Sequence, residues 1–208
     1  MSFPMKAATS TSIEKIEHSH SKYREVVAEN ARSHLGERMT AILRFAIAQA
    51  IPCPDMIPEL KQQALSVASA EELREASLAS AALRAGAAVA YGRLVFKFLA
   101  GDVANEGDSA LNQLRKDRQY MTQMRNADPL AFDRMASFMA SLHEKNMALS
   151  PKEYELIAIA CATVTQCAYC LEKHTTDAVK AGATNIEMAG AVHMAISMRF
   201  EASLAELP

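Results

Sequence analysis

No unbroken apolar run in the 208 residues reaches the roughly 18 positions that a membrane-spanning helix needs, so no membrane partner is expected. Charge of one sign is also missing. The formal net charge is -2, and no basic stripe stands out, so nucleic acid is not expected as a partner either. Met1–Ser10 carries one lysine and no apolar segment, unlike a secretory leader, which makes the cytoplasm the expected compartment. Runs of alternating β-branched residues and Asn-Gly turns are absent, so strands are not expected. There are only four cysteines, Cys53, Cys161, Cys167 and Cys170, and no second CxxC or HxxxH pair accompanies the last two. In a reducing compartment such a pair points to catalysis or metal binding rather than to a structural bridge.

What remains is rich in Ala, Leu, Met, Glu, Gln and Lys, which indicates an all-α protein. Ile13–Leu35 has an imperfect helical stripe and is broken by Gly36. Arg38–Ile51 forms a second helix with Ile42, Leu43, Phe45, Ala46 and Ala50 on its core face, stopped by Pro52 and Pro54. Ser69 and Glu72 carry the capping-box pattern, in which each side chain satisfies a backbone N–H near the other. That helix is expected to be interrupted at Gly86, to resume over Ala87–Leu99 and to end at Gly101, before a polar loop over Asp102–Asp108. Asp128-Pro129 starts a further helix, through Met135, Phe138, Met139 and Leu142. Ser150, Pro151 and Glu153 start another, running to about Val164. A break at Thr165-Gln166 leads to a helix stopped by Gly182, and Thr184 with Glu187 opens a last one to about Leu204.

An echo at an offset of 81 residues lays SAEEL (69–73) over SPKEY (150–154) and Ala100-Gly101 over Ala181-Gly182. It suggests a two-copy repeat. In this register Cys167, Cys170 and His174 fall opposite Gly86, Val89 and Arg93, so only the second copy, about 150–205, carries chemistry; the first, about 69–101, is degenerate. Residues 1–60 read as an N-terminal helical extension and 61–208 as the main domain.

The chemistry concentrates in CAYCLEKH, residues 167–174. On a helix Cys167, Cys170 and His174 form one stripe, and the spacing of the cysteines permits a disulfide. Their place at a helix start favours a thiolate, the nucleophilic form, and His174 stands one turn beyond Cys170 to take its proton. Glu155, inside the apolar run ELIAIACATV, needs a partner if it faces inward, and this stripe is the natural one. Tyr169 reads as packing, with an auxiliary role as the alternative. Cys53 and Cys161 read as small buried hydrophobes, and the twelve methionines as core filler. His143 and His193 read as ordinary helix residues, and His18, His20 and His34 are too irregularly spaced for a ligand set.

Glu155, eleven residues, Cys167, two residues, Cys170, three residues and His174 resemble the E-x11-CxxCxxxH signature of the AhpD-like alkylhydroperoxidases, within the carboxymuconolactone decarboxylase superfamily. The resemblance covers about Ser150–Leu204, and more weakly Leu73–Gly101. It implies an all-helical, AhpD-like domain assembled as a homotrimer or homohexamer. It implies reduction of hydroperoxides with no metal, flavin or other cofactor. Cys170 would be the peroxidatic thiol, Cys167 the resolving thiol, and His174 with Glu155 the proton relay. Electrons would come from a dithiol donor, a lipoyl-bearing or thioredoxin-like protein, with a peroxiredoxin as a further partner. The best-known members of the family have a histidine just before the second cysteine, where this chain has Tyr169. Three other readings stay open: a lactone decarboxylase of the same superfamily, a zinc-binding module on the same four residues, and a disulfide reductase or redox sensor without peroxide turnover.

Overall fold

The structure, a computed structural model, describes residues 10–51, 53–99, 117, 119–141 and 148–205. Among them there is no strand. Helix α1 (Ser10–Ala50) is two helical runs meeting at Gly36, whose φ of 77° and ψ of 163° are not helical. Gly36 therefore breaks the helix as its residue type suggests, since a side chain would be strained there. Beyond it Ile42, Leu43, Phe45, Ala46 and Ala50 are buried. A 3-10 turn (Pro54–Met56) and α2 (Ile57–Leu65) follow, in a stretch that the sequence presents only as a proline-rich turn. Both prolines lie in first turns, where the missing N–H has no helical partner to lose.

Helix α3 (Ala70–Gly92) opens with the Ser69–Glu72 capping box. It runs straight through Gly86, correcting the expected interruption; the break falls at Arg93 instead, before α4 (Leu94–Leu99). An interior glycine costs only about 1 kcal/mol relative to alanine. Burial of Leu83, Ala87 and Ala90 on the same helix offsets that cost. The expected stop at Gly101 and the loop over 102–108 lie outside the described residues. Helix α5 (Gln119–Ala127) carries no strong start signal in the sequence. Helix α6 (Pro129–Ser141) starts where Asp128 predicts, with its Oδ1 accepting the Ala131 N–H at 3.0 Å. Leu142 and His143 lie outside the described residues.

Helix α7 (Pro151–Val164) is the centre, with every residue from Leu156 to Ala162 buried. It packs on α1, α3, α8 (Ala168–Lys180) and α9 (Asn185–Ala205). A helix apolar on all sides is stable only inside such a ring. Leu156, Ile157 and Ile159 are at most 2% exposed, and each contributes about 1.5–3 kcal/mol by leaving water.

Three capping boxes fix the helix starts, at Ser69–Glu72, Ser150–Glu153 and Thr184–Glu187. Each glutamate also meets a cation: Arg38 bonds both Glu72 and Glu153, and Lys152 reaches Glu187 at 2.8 Å. Lys152 and the cap together hold the Glu187 carboxyl at about 2, well below its ordinary value. Glu72 and Glu153 are equivalent in the 81-residue register, so α3 and α7 share a start signal and a partner. The break after α7 has no counterpart in α3, and a full internal repeat is not established.

Glu75, on α3 and 3% exposed, accepts the N–H groups of Ala148 at 2.6 Å and Leu149 at 2.8 Å. It anchors the chain entering α7. Glu75→Ala leaves two N–H groups without their acceptor, and the expected loss is about 2–4 kcal/mol in urea unfolding. A midpoint within error of the wild type would contradict that anchoring.

Candidate functional site

Helix α7 ends in a pair of bonds that returns the chain sharply. The Cys167 N–H donates to the Ala162 carbonyl at 3.1 Å and the Gln166 N–H to the Thr163 carbonyl at 3.2 Å. This Schellman arrangement needs a left-handed residue, and Gln166 supplies it at φ 55°. The same arrangement ends α8, where the left-handed residue is Gly182 at φ 83°. A glycine does this without strain; Gln166 does not. The Tyr91 hydroxyl donates to the Gln166 carbonyl at 3.3 Å, and Arg199 donates to the Val164 carbonyl.

The turn makes Cys167 the N-cap of α8, in extended conformation, with its sulfur accepting the Cys170 N–H at 3.2 Å. Cys170 lies in the first turn, where unpaired N–H groups and the helix dipole favour negative charge. The two cysteines form a disulfide, with Cα atoms 5.3 Å apart. Cys167 is 1% exposed and Cys170 6%.

One turn on, His174 is 5% exposed. Its Nδ1 is 2.7 Å from Oε2 of Glu155 on α7. The Glu155 side chain is 13% exposed, so the carboxylate faces inward and finds its partner there. With Nδ1 donating to the carboxylate, Nε2 of the imidazole is left as the acceptor. Tyr154, beside Glu155, has its ring 6.4 Å from that of His174. Burial first, then the Glu155 charge, pushes the Tyr154 phenol well above its ordinary range, so it stays protonated.

Cys170 and His174 open onto a cavity of about 380 Å³, within the usual range of small-molecule sites. Its far walls come from α3, α5 and α6 and are mostly apolar, with Leu83, Val89, Met121, Phe132, Met135 and Met139. Tyr169 lines it too and packs under Arg93, whose guanidinium carbon is 4.9 Å from the ring centroid. The structure thus brings together Glu155, Cys167, Cys170, His174 and Tyr169. Sequence reading placed Arg93 opposite His174 in the 81-residue register but gave it no role, and it missed Tyr154. It also missed the walls from α5 and α6, which carry no motif.

Cys53 and Cys161 are free and buried. His20 and His193 bond to Ser197 and Tyr23 along the α1–α9 contact. Among the described residues no three His, Cys, Asp or Glu side chains gather as a metal site would require, and no helix is long and apolar enough to cross a membrane.

Residues 129–206 match the family model described as the carboxymuconolactone decarboxylase family. A crystal structure from Burkholderia xenovorans LB400, described as a gamma-carboxymuconolactone decarboxylase subunit, superposes with a TM-score of 0.62. It shares 19% identity, covering 97% of this chain and 90% of the other. The all-α architecture is therefore the fold of that decarboxylase subunit, and the family match covers the second half of the helices, from α6 onward. A Paracoccus denitrificans protein described as "uncharacterized protein 4 in cox locus" is 43% identical over 58 residues, or 28% of this chain. The chain spans about half, 52%, of the length of that curated relative.

Burial pushes the Cys161 thiol up to about 12, so it stays protonated at neutral pH. In the reduced native protein, iodoacetamide at about pH 8 should label Cys170 and leave Cys161 unmodified. Peptide mass spectrometry reads this, and labelling of both at one rate would contradict it.

Proposed function

We propose that the chain is a cytoplasmic thiol peroxidase that reduces organic hydroperoxides through a Cys167–Cys170 disulfide cycle. The observation that carries this is the 2.7 Å Glu155–His174 contact one helical turn from Cys170, at the wall of an apolar cavity. His174 takes the Cys170 proton at Nε2, and the resulting thiolate attacks the terminal peroxide oxygen. The S–O bond forms, the O–O bond breaks, and the departing alkoxide takes a proton from the His174–Glu155 pair to leave as an alcohol. Cys170 is then a sulfenic acid, oxidised by two electrons. The Cys167 thiol displaces its oxygen as water and forms the disulfide. A dithiol donor, a lipoyl-bearing or thioredoxin-like protein, takes up that oxidation by exchange and restores both thiols. A peroxiredoxin is a further candidate partner.

Facing of Cys170 to the cavity supports it as the attacking thiol, and the N-cap place of Cys167 supports the resolving role. Tyr169, in contact with Arg93, is assigned packing rather than proton transfer. The neighbour's description favours a second reading, a lactone decarboxylase, which would not need the thiols.

One equivalent of cumene hydroperoxide should remove two of the four thiols of the reduced wild type. Cys167→Ser should accumulate a trappable sulfenic acid at Cys170, and Cys170→Ser should do neither. Glu155→Gln should slow thiol loss by about a hundredfold or more. Survival of all four thiols would end the peroxidase reading; oxidation without donor-supported turnover would make the chain a redox sensor.

A homotrimer or homohexamer belongs to the same proposal. Ile186, Ile196 and Phe200 on α9 and Ile16 and Val26 on α1 are 37–56% exposed, an apolar surplus that association would cover. Light scattering should give a mass of three or six chains, and the 22.6 kDa monomer alone would refute it.

A further inference from the structure

Arg93 stands out as a buried cation with unused donors. It is 2% exposed, and among the described residues its Nε and Nη1 have no hydrogen-bond partner. A buried guanidinium ordinarily pairs with an acid. Asp117 borders the same small recess beside Cys167, but it accepts from Lys97 at 2.8 Å, and that pair is nearly buried itself. The Tyr169 ring face answers part of the charge and none of the N–H groups. Arg93 also lines the cavity that Cys170 and His174 open onto, where the walls from α5 and α6 are apolar.

We infer that this cavity selects hydroperoxides that carry a carboxylate, with the carboxylate bonded to Arg93. The apolar body of such a molecule lies on Phe132, Met135 and Met139, and its peroxide group meets Cys170. A carboxylate supplies acceptors for the Nε and Nη1 donors and a counter-charge for the guanidinium. A neutral peroxide of the same shape leaves both unanswered. Arg93 is thus a specificity-determining residue for the activity proposed above, and the inference rests on that reading only for the peroxide half of the ligand.

Two measurements separate the two halves. First, decanoate and methyl decanoate are titrated calorimetrically into the disulfide form of the wild type, where no thiol chemistry intervenes. Decanoate should bind at least about tenfold more tightly. Arg93→Met should bring the ratio near one, and Arg93→Lys should restore part of it. Second, the reduced protein is mixed with linoleic acid hydroperoxide or its methyl ester, and the rate of Cys167–Cys170 oxidation is followed. The acid should lead by a similar factor, and that lead should vanish in Arg93→Met. Equal binding and equal rates for acid and ester in the wild type would overturn the role of Arg93 and leave the peroxidase reading intact. Arg93-dependent decanoate binding with no oxidation by either peroxide would do the reverse. Should Arg93→Met not fold, the wild-type acid-to-ester ratios and Arg93→Lys still decide.

Discussion

The site depends on one constraint: a carboxylate placed in a helix that is otherwise buried on all sides. Helix α7 is almost wholly apolar after its first turn, and Glu155 is the exception. An ionised carboxylate cannot stay in such surroundings without a donor. The donor is His174, and reaching it demands that α8 return along α7 at close range. The return is made in two residues, Thr165 and Gln166, and the strained φ of Gln166 is the cost of making it so short. A wider turn would carry Cys170 and His174 away from the carboxylate together.

That geometry is held from outside as well. Arg38 joins the first turns of α3 and α7, and Glu75 binds the two residues that enter α7. Lys152 joins α7 to the start of α9. Exposed ion pairs contribute little singly, about 0–1 kcal/mol. Here the carboxylates also close capping boxes, so each cation positions a helix terminus already fixed in direction. What the pairs determine is the relative placement of α3, α7 and α9. The cavity between α3 and α8 inherits its width from that placement.

The start and stop signals were legible because capping chemistry is local: Ser69–Glu72, Ser150–Glu153, Thr184–Glu187 and Asp128 all act within four residues. Gly36 and Gly182 were legible because a left-handed turn selects glycine. The CxxCxxxH stripe with Glu155 was legible for a related reason, since i, i+3 and i+7 spacing on one helix fixes a common face. Gly86 misled because a lone glycine weakens a helix without ending it when its neighbours are buried. Helix α5 and Arg93 were illegible because their meaning is tertiary. Nothing within a few residues of Arg93 says that it is 2% exposed or that it shares a cavity with Cys170.

The 81-residue register has a spatial counterpart. Cys170 and His174 fall opposite Val89 and Arg93 in sequence, and the four side chains line the same cavity. Gly86, opposite Cys167, lines it as well. Helices α3 and α8 therefore present matching positions to one space while carrying different chemistry. One wall holds the Cys170 sulfur and an imidazole tied to a carboxylate; the other holds an aliphatic surface and a guanidinium with open donors. The α3 wall buries a cation beside the same space that Cys170 lines. The division of labour follows from packing: α3 runs unbroken through Gly86, so it has no helix N-terminus at this level to favour a thiolate, and its side chains can only line, fill or bind.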